Sequence, residues 1–308
     1  MVNKYKKEKF HFDISLSILN HLGRNLYRSF ATVLGEAISN SWDADATNVY
    51  IYVDKDNNSM YIKDDGHGMT GRDFQDRFLK IGYSKRKECS VSPQRNRPFI
   101  GRKGIGKLAL LSCAKRITIL SKTPGGQYVG GTIDNSGLDL AIAEDLTPVD
   151  YPLEELNPDL FKNYLKNHKQ GTLIYFEAFN EGIKHSLAFL KKTIALYFRF
   201  SLLDKKFNIF LNDEKITVSC LDDLAMNTEF LWNLNNIDDP YIQRLKSVFT
   251  IKESTDLRVK DSVKGFIASV IKPRYLKITT TDERVGVDLF VNGRLRLHFL
   301  KKCPFFPN

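Results

Sequence analysis

Asp64-Asp65-Gly66-His67-Gly68-Met69 decides the fold, because of what runs into it and what stands on either side. Met60-Tyr61-Ile62-Lys63 reads as a strand ending at Asp64, and Asn48-Val49-Tyr50-Ile51-Tyr52-Val53 reads as an earlier one. The turn-rich Asp54-Lys55-Asp56-Asn57-Asn58-Ser59 lies between them, so the pattern predicts a hairpin. Gly66 and Gly68 remove side chains where the backbone must turn and come close to a flat ligand. An isolated Asp-Gly pair is usually a surface turn. Two further motifs, one upstream and one downstream, argue against that reading here.

Upstream, Leu26, Phe30, Val33, Leu34, Ala37 and Ile38 recur at spacings of three and four, which predicts an amphipathic helix over residues 24 to 44. Glu36 and Asn40 stand four apart and Asp43 follows three later, so the three polar groups share one stripe of that helix. Alone, such a stripe reads as a solvated acidic face. A carboxylate beside a neutral amide oxygen also suits a magnesium-nucleotide site, since that hard cation takes oxygen ligands and retains waters and phosphate oxygens.

Downstream, Gly101-Arg102-Lys103-Gly104-Ile105-Gly106-Lys107 precedes Leu108-Ala109-Leu110-Leu111-Ser112-Cys113-Ala114, which reads as a buried helix. Glycines entering a helix N-terminus present N–H groups and the positive end of the dipole to an anion. Gly101 and Gly106-Lys107 also have the spacing of a P-loop. That reading fails at Leu108, where a Ser or Thr hydroxyl should bind magnesium, and it leaves Glu36, Asn40 and Asp64 without a role.

Together the three motifs resemble the GHKL ATPases, the superfamily of gyrase B subunits, ninety-kilodalton heat-shock chaperones, histidine kinases and mismatch-repair ATPases. The resemblance covers residues 24 to 177. It implies an α+β fold, a two-layer α/β sandwich of the GHKL (Bergerat) type with a mixed sheet. It also implies ATP and Mg2+ as cofactors, with Asn40 holding the metal and Glu36 as the general base. In this family the first Asp of the D-x-G-x-G pattern reads the adenine amine, which points to Asp64 rather than Asp65. Gly66, Gly68 and Met69 complete that turn, and Asp43 joins the nucleotide-binding candidates. Gly171-Thr172 before Leu173-Ile174-Tyr175-Phe176 matches a fourth element, in which the Thr172 hydroxyl joins Asp64 and a water around the base. Residues from Ile81-Gly82-Tyr83-Ser84-Lys85-Arg86 to Gly101 match the mobile ATP lid. There Ser84, Lys85, Gly101, Gly104, Ile105, Gly106 and Lys107 are expected near the phosphates, with Lys107 also counted beside Glu36 as catalytic. Arg86, Arg95, Arg97 and Arg102 read instead as ordinary loop solvation.

The chain has 308 residues, enough for two domains, with 42% hydrophobic content and no apolar run near the length of a membrane span. The charged N-terminus lacks the apolar core of a signal peptide, so a cytoplasmic location is expected. Cys89, Cys113, Cys220 and Cys303 are scattered without a C-x-x-C pair, which opposes a zinc site or a disulfide framework. A formal net charge of +10 permits a nucleic-acid partner, although the paired lysines along the chain also read as solvated faces.

The expected organisation is an ATP-binding domain over residues 1–183 and a smaller α+β transducer-like domain over 184–308, as part of a longer protein. Residues 144 to 170 read as an irregular insertion. A helix is expected from Leu187 to Phe198, a hairpin from Phe207 to Val218, and strands over Val263–Ile271 and Gly286–Arg294. The resemblance also implies a transducer lysine reaching the γ-phosphate, for which Lys272 and Lys277 are the candidates. A histidine kinase is disfavoured, because Glu36 is present and no dimerisation helix with a phospho-acceptor His precedes the domain. Two readings stay open: an ATPase switch that forms a homodimer when ATP-bound, and a nucleotide-regulated binding module with little hydrolysis. The Gly-Arg-Lys-Gly-Ile-Gly-Lys-Leu-Ala segment is more similar to prokaryotic MORC-like and chaperone-like ATPases, some of which serve anti-phage defence, than to mismatch-repair proteins.

Overall fold

The structure is a computed structural model that describes residues 30–80, 91–100, 110–111, 113–137, 144, 153–198, 200–260, 263–277, 286–291 and 294–299. Its first helix, α1 (Phe30–Asp43), buries Phe30, Val33, Leu34, Ala37 and Ile38 of the predicted stripe, to which Trp42 adds one more turn, while Leu26 lies outside the described residues. The predicted hairpin follows as β1 (Asn48–Asp54) and β2 (Ser59–Asp64), antiparallel with Val53 opposite Met60 and Ile51 opposite Ile62. Val49, Ile51 and Val53 alternate inward, onto the core that α1 covers.

The sheet grows on both sides of that hairpin. β3 (Ala114–Lys122), β4 (Val129–Asp134) and β5 (Gly171–Phe179) extend it beyond β2. β6 (Asn208–Leu211) and β7 (Glu214–Lys215) extend it beyond β1. The order is β4-β3-β5-β2-β1-β6-β7, antiparallel throughout except for the parallel β1–β6 pair, which makes the sheet mixed. A second helix, α2 (Leu187–Tyr197), capped by the Ser186 hydroxyl, adds Leu190, Ile194 and Ala195 to the same core. Leu190 and Ile194, fully buried, each contribute about 1.5–3 kcal/mol relative to exposure. Helices on one face of a mixed sheet make an α+β two-layer architecture.

The opposite face of the sheet is aromatic. Tyr50 stacks on Phe210 at 5.0 Å and Tyr52 on Tyr61 at 4.6 Å, while Tyr164 packs edge-on against Tyr61. Lys63 donates from Nζ to the Tyr164 carbonyl at 3.0 Å, and Glu154 bridges to the edge strand at Thr132. The described part of the expected irregular insertion is thus laid along this outer face.

Two features differ from expectation, and a third lies mostly outside the described residues. Ala114 opens β3 and does not close the preceding helix. The helix Leu108–Ala114 is described only at residues 110–111. The large sheet runs across the expected 183/184 boundary, because β6 pairs with β1 and its Ile209 and Leu211 are buried in the first core.

Beyond β7 lies a smaller unit. β8 (Thr228–Leu234), α3 (Pro240–Val248) and β9 (Glu253–Leu257) form a β-α-β unit with β8 and β9 parallel, and β10 (Gly265–Val270) pairs antiparallel with β8 on its other side. The Asp239 side chain caps α3 just ahead of Pro240, a residue suited to a first helical turn. Tyr241, Ile242 and Leu245 pack on one face of this sheet, where Tyr241 lies 5.7 Å from Phe266. β11 (Val287–Val291) and β12 (Arg294–Phe299) form a separate hairpin. Among the described residues no helix is long and apolar enough to cross a membrane.

Candidate active site

Helix α1 and the turn after β2 are joined at two points. The Ser41 hydroxyl lies 2.9 Å from Asp64 Oδ2 and 3.1 Å from the Ala37 carbonyl, and His67 N–H donates to the Ala44 carbonyl at 2.9 Å. The helix stripe and the D-x-G-x-G turn therefore meet in space. Glu36 and Asn40 are half-buried on α1, one turn apart, with Asn40 next to the residue that touches Asp64.

Asp64 is the most constrained group of the cluster. Its Oδ1 accepts from Gly66 N–H at 2.9 Å and from Thr172 N–H at 3.2 Å, while Ser41 holds Oδ2. Its side chain is buried, and burial pushes its carboxyl above the usual carboxylate range. The three donors pull in the opposite direction without cancelling that rise, and the neighbouring Asp65 charge adds to it. Asp65 faces elsewhere: it accepts from Thr47 N–H at 2.6 Å and from Asn48 N–H and Nδ2 at 2.8 Å, tying the turn to the start of β1. Adjacent carboxylates thus have separate tasks.

Two glycines let the chain close around this point. Gly68 has φ of +68°, and a Cβ there would lie 1.9 Å from the Lys122 carbonyl oxygen. Gly171 has φ of +111°, and a Cβ there would lie 2.0 Å from the Asp64 carbonyl oxygen. Both need the left-handed freedom and the missing side chain of glycine. Thr172 follows with its hydroxyl 2.9 Å from Ser121 Oγ. Met69 is partly buried against the core.

Three residues of this cluster have no place in the sequence pattern: Ser41, His168 and Gln170. His168 Nε2 lies 3.0 Å from the Asp64 carbonyl oxygen, so it must carry the proton there, and Nδ1 is left to accept from the Tyr128 hydroxyl at 3.1 Å. Burial pushes this imidazole below its ordinary value, which favours that neutral form. Gln170 Nε2 donates to the Asp65 and Gly66 carbonyls. A His-x-Gln run just before Gly171-Thr172 is the signal that marks them.

Asp43 is buried and accepts from Ile100 N–H at 2.9 Å, so its carboxylate fixes the chain that enters the Gly101 segment. Asp45 does the same further back, accepting from Ser92 Oγ and from Gln94 N–H. Arg97 departs from the expected loop solvation. Its side chain is 4% exposed, it pairs with Asp204 at 3.1 Å, donates to the Lys206 carbonyl, and lies 4.4 Å above the Trp42 ring. Ser84, Lys85, Gly101, Gly104, Ile105, Gly106 and Lys107 lie outside the described residues. Lys272 and Lys277 are exposed on either side of the helical turn Pro273–Leu276 that follows β10.

The comparisons with known proteins agree with this arrangement. Residues 27–171 match the family described as "Histidine kinase-, DNA gyrase B-, and HSP90-like ATPase". Over 270 residues the chain is 30% identical to a protein of Herpetosiphon aurantiacus named "Putative type II restriction enzyme HgiDII", an alignment that covers 86% of this chain and 42% of that protein. The chain thus spans less than half the length of the relative it matches. The motif order, the mixed sheet and the family match converge on one statement: residues 27–171 form an ATPase domain of the histidine kinase, gyrase B and heat-shock-chaperone family, the GHKL group.

Proposed function

We propose that this domain binds and hydrolyses magnesium-ATP, that the ATP-bound chain forms a homodimer, and that the cycle serves a DNA-directed, defence-related process in the cytoplasm. The observation that carries the reading is Asp64, a buried carboxylate held by three donors beside the helix that bears Glu36 and Asn40. A buried acceptor of this kind suits the exocyclic amine of adenine, and it would disfavour guanine, whose six-position oxygen would face a carboxylate. Gly66, Gly68, Met69 and Thr172 frame the base in this reading. Asn40 and Glu36 are both half-buried on the helix, so in this reading the Asn40 amide oxygen would hold the hard cation and Glu36 would take a proton from the attacking water. Bound magnesium would supply charge neutralisation at the phosphates.

Asp43 acts through the chain that enters the Gly101 segment, whose fixed flank it holds. Ser84, Lys85, Gly101, Gly104, Ile105, Gly106 and Lys107 are the proposed phosphate-facing lid, and Lys272 or Lys277 the proposed transducer lysine. The DNA-directed part rests on the printed name of the Herpetosiphon relative and on the net charge of +10.

Glu36→Ala tests the reading most directly. It should retain ATP in calorimetry and lose turnover by roughly 100 to 10,000-fold, because a general base acts mainly in the transition state. Phosphate release within about threefold of the parent would place the base elsewhere. Retained ATP with no release from the parent chain itself would favour the nucleotide-regulated binding module. Asn40→Ala should weaken magnesium-ATP more than metal-free ATP, and equal losses would reduce Asn40 to a packing role.

A further inference from the structure

The small sheet has two faces of opposite character. Leu231 and Asn233 of β8 and Phe266 of β10 point to the side packed by α3. Strand alternation puts Phe230, Trp232 and Leu234 on the other side. Cross-strand register adds Ile267 of β10 opposite Trp232, and Leu257 of β9 opposite Leu234. Ile267 is 54% exposed and Leu257 39% exposed, so this second face is open to solvent. At its centre the Phe230 and Trp232 rings are stacked, with centroids 6.0 Å apart and planes 22° from parallel.

Its surroundings are basic. Residues 252–277, which include β9 and β10 and the turns at both their ends, contain seven Lys or Arg against three Asp or Glu. That is a large share of the chain's excess of +10 in a short stretch. Lys252 Nζ sits 5.8 Å from the Phe230 ring centroid at one end of the face, where it also pairs with the Glu229 carboxylate, and Lys260 and Lys264 are exposed at the other. An apolar protein partner would leave Lys260 and Lys264 unmatched. A polyanion with flat apolar faces would match both features.

We infer that this face is a binding platform for single-stranded nucleic acid, with bases stacked on Phe230 and Trp232 and the backbone tracking the basic ends. Accessibility of the bases favours the single strand: inside a duplex the base faces are covered by their neighbours, whereas bases splayed from an extended strand can stack on aromatic rings. Base–aromatic stacking is tolerant of sequence and pairs naturally with a basic groove. Glu253, opposite Phe230, is the carboxylate that a polyanion meets on this face. The inference deepens the DNA-directed reading above by naming the surface and the strand state, and it rests on that reading for its biological setting.

The chain's two tryptophans make the test direct: Trp42 is buried in the main core, and Trp232 is half-buried on this face. Titrating the full chain with an oligothymidylate of about twenty nucleotides, long enough for an ordinary site, should quench the Trp232 emission. Trp232→Leu keeps the face apolar but removes the indole, and should weaken binding of the labelled oligonucleotide about tenfold in fluorescence anisotropy. The double substitution Lys260→Glu and Lys264→Glu should weaken it further at low salt and flatten its salt dependence. Glu253→Gln should tighten it. Unchanged affinity in Trp232→Leu, or tighter binding of duplex of the same length, would overturn the platform. So would self-association lost in Trp232→Leu without any oligonucleotide binding, which would assign the face to a second copy. ATP calorimetry on the same samples separates the two readings: ATP heat without quenching sinks only the platform, and Trp232-dependent quenching without ATP heat sinks only the nucleotide site.

Discussion

Asp64 shows how one side chain links folding to ligand choice. Its raised carboxyl value means that the fold prefers the protonated form more than the unfolded chain does. The sign follows: this group's contribution to stability is largest in acid and falls as pH rises from the ordinary carboxylate range through the raised native value. Asp64→Asn removes that penalty, although it also turns one acceptor toward Ser41 into a donor. The difference in Tm between Asp64→Asn and the parent should therefore shift in favour of the variant as pH rises above the ordinary carboxylate range, as differential scanning fluorimetry can follow. The same variant should lose ATP binding, since an amide donor would face the adenine amine, and near-parental affinity in a calorimetric titration would sink the adenine assignment. Asp64 was legible in the sequence because the D-x-G-x-G pattern marks a strand end that must turn sharply. Ser41, His168 and Gln170 were not, because their roles depend on hydrogen bonds between segments up to 105 residues apart.

At the scale of elements, the C-terminal end of α1 acts as an anchor for the chain that leads to Gly101. Trp42 Nε1–H donates to the Pro98 carbonyl at 3.1 Å, Asp43 holds Ile100, and Arg97 reaches the Ala46 carbonyl as well as the turn before β6. Removing a buried cation that has several partners leaves Asp204 and two carbonyls without it, so Arg97→Ala should cost about 3–5 kcal/mol. Urea unfolding checks this, and a loss under about 1 kcal/mol would show that the pin is dispensable. Arg97→Lys should recover only part of the loss, because an ammonium cannot reproduce the planar stack on Trp42. The elements around this anchor differ in how readable they are. α1, β1, β2 and β5 have clean periodicity between turn residues. β3 is hidden because the apolar run from Leu108 continues into Ala114 without a break, and β4 because Gly130 and Gly131 lower its strand signal. β8, α3 and β9 are short, and their apolar residues make sense only once the three strands are set side by side.

For the whole molecule, the parallel pairing of β1 with β6 is the feature that local pattern cannot reveal. Asn48 aligns with Asn208 and Ile51 with Leu211, so the first core is closed by strands from well beyond the family match. A fragment ending at residue 183 would expose the whole edge of β1 and remove Leu190, Ile194, Ile209 and Leu211 from the core. Such an edge templates pairing between chains. Light scattering should therefore show aggregates for residues 1–183 under conditions where the full chain is monodisperse. A soluble fragment with a cooperative melt would show that the ATPase segment folds without β6. The same pairing sets a clock on biosynthesis. At ordinary translation rates of about 5–20 residues per second, β1 waits roughly eight to thirty seconds after its own synthesis before β6 is made. Through that interval the nascent chain carries an open edge strand on the ribosome. This makes its yield in cells sensitive to chaperone supply and to the pace of translation through residues 54–208.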